Sequence, residues 1–146
     1  MSSDSGMVAT PFVSPYSASK FALEALSDSL RMELHPWHMQ VSVVQPGAID
    51  TPIWDKGGDV LRSLLKGAPR QGLELYGSAI RGMEPHYVAH GIATDAVAKA
   101  VAHALTASHP KTRYPIGTDG ALATLLSWLP DRVRDRILLS QLPKWG

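Results

Sequence analysis

Apolar residues in this chain recur at two different spacings, and the switch between them lays out its elements. Leu23, Leu26, Leu30 and Leu34 return every three or four positions, which is the spacing of one helix face. Ser14 is placed to cap that helix, and Pro15 suits a first helical position because its missing N–H would be unpaired there anyway. Pro36 disfavours helix in the residue before it, so the spacing predicts a helix over 14–35. Val41, Val43 and Val44 then crowd into "MQVSVVQPG", which reads as a buried strand over 39–45 ended by Pro46-Gly47. Residues 48–91 carry Gly57, Gly58, Gly67, Gly72, Gly77, Gly82 and Gly91, and read as a long irregular segment containing one short helix, "DVLRSLLKG". A second long helix is predicted over 94–107. Thr94 is its cap, Val97, Val101 and Leu105 stand four apart, and Ala100 and Ala104 keep that face flat. "TRYPIG" predicts a strand over 112–117, at a sheet edge because of Pro115. Residues 119–142 read as two amphipathic helices broken at Pro130.

Strand and helix alternate, which argues for an α/β layer with parallel strands. Two strands cannot cover both long helices, so the chain is expected to be part of a larger fold. The 146 residues suffice for one domain, and 45% hydrophobic content with a net charge of +1 excludes disorder. Nothing in that charge balance points to a nucleic acid or an acidic partner. The absence of cysteine excludes disulfides and thiolate metal sites. "MSSDSGMVA" has neither a basic region nor an apolar core of a signal peptide, and the longest greasy run, near Ala121 to Leu129, falls short of the roughly 20 residues a membrane helix needs. A cytoplasmic protein is expected. "DRVRDR" reads as a solvated face, while Val133, Ile137 and Leu138 beside it could cover substrate, a partner subunit or a membrane surface, so peripheral membrane contact stays open.

The candidate chemistry sits on the first helix. Tyr16 and Lys20 are an i, i+4 pair, so their side chains meet on one face. An isolated phenol, with a pKa of about 10, is a poor base at neutral pH, and a neighbouring ammonium group favours its ionised form. Tyr16 could then give or take a proton at a reacting oxygen, with Ser3 as a hydroxyl to hold that oxygen. "SASK" also spells the S-x-x-K acylation motif from Ser17 to Lys20, but the chain offers only "SDS" and "KTR" where that chemistry needs S-D-N and K-T-G. His86 and His90 are four apart without a third ligand at sensible spacing, so no metal site is assigned. Trp54, Tyr76, Met83 and Tyr87, in the long segment, read from the residues alone as packing residues.

Taken together, "SSDSG", Pro11, "YSASK" and "VVQPGAIDT" resemble the short-chain dehydrogenase/reductase family. The resemblance implies the C-terminal half of a Rossmann-like, doubly wound parallel sheet, with the first βαβαβ half absent and amphipathic helices at the C-terminus. It implies hydride transfer with NAD or NADP. Ser3 would orient the substrate oxygen, Tyr16 would act as acid/base, and Lys20 would tune Tyr16 and bind the nicotinamide ribose. Pro46, Gly47, Ile49 and Thr51 would meet the nicotinamide carboxamide. Segment 48–91 would cover the substrate, and the catalytic helix would mediate homo-oligomer formation in the full-length protein. "PYSASKFALEALSDSLRMEL" and "RYPIG…LLSWLPDRVRDRIL" are more like the hydroxysteroid and retinol dehydrogenase branch, which implies an apolar alcohol or carbonyl substrate. The family's glycine-rich pyrophosphate turn has no counterpart here, nor does the residue that selects NAD or NADP. The chain is therefore expected to be the back half of a working enzyme and inactive alone. The alternative is a non-catalytic remnant or a half-domain that docks on another subunit.

Overall fold

The computed structural model describes residues 1–88 and 91–141, the side chains at 54–56, 60–62, 64 and 82–88 excepted. Its elements in chain order are α1 (Ser14–Glu33), β1 (Val43–Pro46), α2 (Ile53–Gly67), α3 (Arg70–Val88), α4 (Thr94–Thr106), β2 (Arg113–Ile116), α5 (Gly117–Ser127) and α6 (Asp131–Gln141), with 3-10 turns at Asp4–Gly6 and His35–Trp37. They divide into two units. The first comprises Met1–Asp50 and Gly91–Pro130, the second Thr51–His90 and Asp131–Gly146.

In the first unit β1 and β2 pair in parallel, with Val43 opposite Arg113 and Pro46 opposite Ile116. The amide of Ser2 donates to Val44 O at 2.8 Å, so the N-terminal segment reaches β1 as well. Alternate strand residues face opposite ways. Val44, Tyr114 and Ile116 face α4 and bury against Val97, joined by Ala96, Ala100, Val101 and Ala104. Gln45 and Arg113 face α1 instead, through hydrogen bonds to Glu24. The unit is thus a layer of sheet between helices, a partial Rossmann-like α/β fold as expected. Tyr114 buries its ring and keeps its hydroxyl satisfied: the amide of Lys111 donates to it at 3.0 Å, and it lies 2.8 Å from His103 Nδ1.

Two expectations change in detail. Leu105 leaves the α4 core face and is exposed. Each i+4 step overshoots a full turn by about 40°, so a third residue in such a row rotates out of the contact. Neither Ser14 nor Thr94 caps its helix. Both fall inside the first turn, and the capping positions, Val13 and Ala93, make no side-chain cap bond. The leucine stripe of α1 is partly uncovered, with Leu26 65% and Leu30 40% exposed, whereas Ser17 and Glu24 are buried. In this chain α1 meets the sheet through polar side chains.

The segment 48–91, expected to be irregular with one short helix, is largely helical in α2 and α3. Its glycines did not prevent this, since a glycine inside a helix costs only about 1 kcal/mol relative to alanine. The two ends of the excursion are tied within the first unit. Ile49 and Ile92 form a parallel bridge, the Ile92 amide donates to Ala48 O at 2.8 Å, and the Asp50 amide donates to Ile92 O at 3.0 Å. Gly91 allows that approach, because a Cβ there would collide with the backbone of Ile49 and Asp50. At the start of α5, Gly117 has φ +83°, a conformation that disfavours side chains, with Ile92 packed against it. Among the described residues no helix is long and apolar enough to cross a membrane.

Candidate active site

Tyr16 and Lys20 occupy the first turns of α1, and the lysine Nζ stands 5.3 Å from the centroid of the Tyr16 ring. That separation is within cation–π range. Lys20 forms no ion pair among the described residues, and the Tyr16 ring is 49% exposed. A half-open phenol beneath an unpaired ammonium group is therefore accessible to a ligand. Downstream on the same row stand Glu24 and Asp28, again at i+4 steps.

Ser3 is buried at the start of the Asp4–Gly6 turn. Its hydroxyl donates to Asp4 Oδ1 at 2.6 Å and accepts weakly from the Ser5 amide at 3.3 Å, so its single proton points to Asp4 and not to Tyr16. The turn is held against α1 by Gly6. A Cβ at Gly6 would lie 3.1 Å from Lys20 O, 3.1 Å from Glu24 Cγ and 2.7 Å from Ser2 Oγ. Glycine here lets the Ser3 segment seat on the helix that carries Tyr16 and Lys20.

Pro46 ends β1, and the Gly47 amide continues the ladder to Ile116 O at 3.3 Å. A Cβ at Gly47 would lie 3.0 Å from Asp119 Cβ, so the side chain of Asp119 closes over this turn from the first turn of α5. Ile49 sits in the bridge to Ile92. Ser3, Tyr16, Lys20, Pro46, Gly47 and Ile49 thus belong to the first unit, while Thr51 opens the second. Tyr76 lies on α3 of the second unit and is exposed. The side chains of Trp54, Met83, His86 and Tyr87, and all of His90, lie outside the described residues.

A polar network that the sequence reading did not single out lies between α1 and the sheet. Gln45, with 0% exposure, donates through Nε2 to Glu24 Oε1 at 2.9 Å. Arg113 Nε donates to Glu24 Oε2 at 3.1 Å, and its Nη2 reaches both oxygens of Asp28 at 2.7 and 2.8 Å. Arg31 adds a bond to Asp28 Oδ1 at 2.7 Å. The Arg113 guanidinium hydrogen-bonded to Asp28, aided by Arg31, holds the Asp28 carboxyl below its ordinary value against the opposing effect of burial. A depressed carboxyl contributes stability that is fully present above its unfolded value and lost as pH falls through the folded one. Acid unfolding of the wild-type chain is therefore expected to include a loss below about pH 4 that Asp28→Asn lacks. Urea midpoints measured from pH 6 to pH 2 check this, and identical pH slopes in the two proteins would contradict it.

The family model for short chain dehydrogenases matches residues 1–59, which contain Ser3, Tyr16, Lys20 and the Pro46–Thr51 segment. The chain is 34% identical over 141 residues to 17-beta-hydroxysteroid dehydrogenase type 6 of Bos taurus, covering 91% of this chain and 44% of that protein. It is 39% identical over 141 residues to retinol dehydrogenase 5 of Mus musculus, with 88% and 43% covered. It is 37% identical over 129 residues to the mitochondrial D-beta-hydroxybutyrate dehydrogenase of Rattus norvegicus, with 78% and 36% covered. The chain spans less than half the length of each of these relatives.

Proposed function

The chain belongs to the short-chain dehydrogenase/reductase family, and on that premise we propose that its first unit supplies the acid/base part of an NAD- or NADP-dependent oxidoreductase site. The observation that carries this reading is the half-open Tyr16 phenol with the Lys20 ammonium, which forms no ion pair among the described residues, 5.3 Å from the centroid of its ring. Tyr16 gives a proton to a carbonyl oxygen during reduction or takes one from an alcohol during oxidation. Lys20 favours the ionised phenol and offers donors to a ribose hydroxyl. Ser3 holds the substrate oxygen. With its own proton given to Asp4, it accepts from an alcohol directly and must turn away from Asp4 to donate to a carbonyl.

The residues present fit the nicotinamide end of such a cofactor. Tyr16 is half-exposed and Lys20 partly so, and the Pro46–Gly47 turn, with Ile49 after it, follows the strand against which their helix is held. The bound nicotinamide would supply or accept the hydride. The sequence has no glycine-rich turn for the pyrophosphate, so that part of the cofactor is held by residues outside this span. The relatives' names, a hydroxysteroid and a retinol dehydrogenase among them, favour an apolar alcohol or ketone, with a short hydroxy acid as the competing class. We assign the protein to the cytoplasm, with α6 free to touch a membrane surface, and the working enzyme to a homo-oligomer formed through α1.

A second reading, a half-domain that docks on another subunit without turnover, is favoured by the exposed Phe21, Leu26, Leu30 and Met32 of α1. Cofactor titration separates the two. The purified 146-residue chain is expected to bind NADH and NADPH weakly or not at all, whereas the protein that joins this span to a dinucleotide-binding half binds one of them saturably and oxidises steroid or retinoid alcohols in preference to 3-hydroxybutyrate. Binding without turnover in that joined protein would favour the docking reading, and tight binding by the 146-residue chain would overturn the division of labour.

A further inference from the structure

We infer that Arg113 is a positioning residue for the Tyr16–Lys20 pair: by gripping Glu24 and Asp28 from β2 it fixes the rotation and height of α1 on the sheet. Neither a side-chain cap nor its leucine row seats α1. The residue before its first turn provides no side-chain cap, and its leucine row faces outward, Leu26 and Leu30 being exposed. A helix packed by apolar side chains is located by their interdigitation. Here the buried row is polar and consists of Ser17 and Glu24, with Gly6 seated beside the latter. The Asp4–Gly6 turn packs along α1, and polar contacts to the sheet act with it to set which way the tyrosine faces.

The Arg113 fork has the geometry for this. One guanidinium bonds two carboxyl groups on successive turns of the same helix, with Nε on Glu24 at 3.1 Å and Nη2 on both oxygens of Asp28 at 2.7 and 2.8 Å. Two anchor points one turn apart fix both rotation about the helix axis and translation along it. The planar fork of arginine defines them, where a lysine ammonium supplies only a point charge. Gln45 of the neighbouring strand occupies the other oxygen of Glu24, so both strands hold the same carboxyl. Lys20 and Tyr16 lie one and two turns upstream of Glu24 on the same helix and move with it as a rigid body. Gln45 also immediately precedes Pro46 and Gly47. The network therefore sets the distance between the acid/base pair and the turn that follows β1, which the proposed chemistry requires to be constant. A small misplacement of a reacting group can cost about 100-fold in rate.

The proposal rests on the hydride-transfer reading for its kinetic arm only. In the joined protein that carries a dinucleotide-binding half, Arg113→Lys is expected to keep the melting temperature within a few degrees of wild type while kcat falls at least about tenfold with KM unchanged. Arg113→Met is expected to lose both. If kcat simply follows stability, so that Arg113→Lys regains full turnover, Arg113 is only structural and the inference fails. The second arm needs no turnover. In the 146-residue chain labelled with [13C]tyrosine, the Tyr16 ring signal, assigned by its disappearance in Tyr16→Phe, is expected to shift by more than its linewidth in Arg113→Lys at full folding. An unmoved Tyr16 signal would overturn the inference. Absence of turnover in the joined wild-type protein would instead remove the hydride-transfer reading and leave the ring signal to decide positioning. Should Arg113→Lys fail to fold, Asp28→Asn, which cuts only the half-exposed arm of the fork, carries both arms of the test.

Discussion

Tyr16→Phe is expected to lower turnover by about 100- to 10,000-fold in the protein that carries this span with its cofactor-binding half, while cofactor affinity stays near that of wild type. The substitution keeps the aromatic ring over which Lys20 Nζ stands at 5.3 Å, so the lysine retains its seat and its donors. Only the phenolic hydroxyl, with the proton it exchanges, is lost. If Tyr16 is the group that exchanges a proton with the reacting oxygen, the whole deficit falls on the chemical step and appears in kcat. Single-turnover hydride transfer and equilibrium cofactor titration on the two proteins separate the effects. Near-normal turnover in the phenylalanine variant would remove Tyr16 from the mechanism, and a matching loss of cofactor affinity would make it a binding residue.

The second large effect is structural. Gly91→Ala is expected to destabilise the first unit by about 3 kcal/mol, because its Cβ would meet backbone atoms of Ile49 and Asp50 that cannot rotate aside. The affected bonds are the Ile92 amide to Ala48 O and the Asp50 amide to Ile92 O, which close the base of the excursion between Asp50 and Gly91. Their amide protons should lose exchange protection before those of β1. Gly57→Ala is the control. Nothing lies within 4 Å of a Cβ at Gly57, which is inside α2, so that change is expected to leave stability unchanged or slightly higher. Equal denaturation midpoints for wild type and Gly91→Ala would contradict the close approach on which this account of the bridge rests.

Much of the fold was legible because its signals are local. The β-branched run before Pro46-Gly47 gave β1 to within a few residues, "TRYPIG" gave β2, and the break at Pro130 separates α5 from α6. The motif residues were equally legible, since a tyrosine and a lysine four apart on a helix must share a face whatever surrounds them. What stayed hidden depends on partners distant in sequence. Leucine spacing marks a face on α1 as apolar, but which face is buried depends on what the sheet presents, and there it presents Gln45 and Arg113. The carboxyl row of Glu24 and Asp28 was visible at i+4 spacing, yet its meaning needed the β1–β2 register that sets Arg113 opposite Val43. The helix expected at "DVLRSLLKG" is the end of α2, while the start of α2 and all of α3 were hidden by glycines whose modest helix cost was read as decisive. The bond from Ser3 to Asp4 joins adjacent residues and escaped notice because the spacing to Tyr16 drew the argument.

The central claim is that Tyr16, Lys20 and Ser3 form the acid/base end of a hydride-transfer site. The measurement that tests it most directly is deuterium transfer by the protein isolated from its own cells, captured through an antibody to α6. It is supplied with 4-deuterated NADH or NADPH and, in separate reactions, a steroid ketone, a retinoid aldehyde and acetoacetate. The account predicts a deuterated alcohol from the steroid or retinoid with one of the two cofactors, at a rate that Tyr16→Phe lowers by at least about 100-fold. No deuterium in any product with either cofactor, from a protein shown to bind that cofactor, would contradict it.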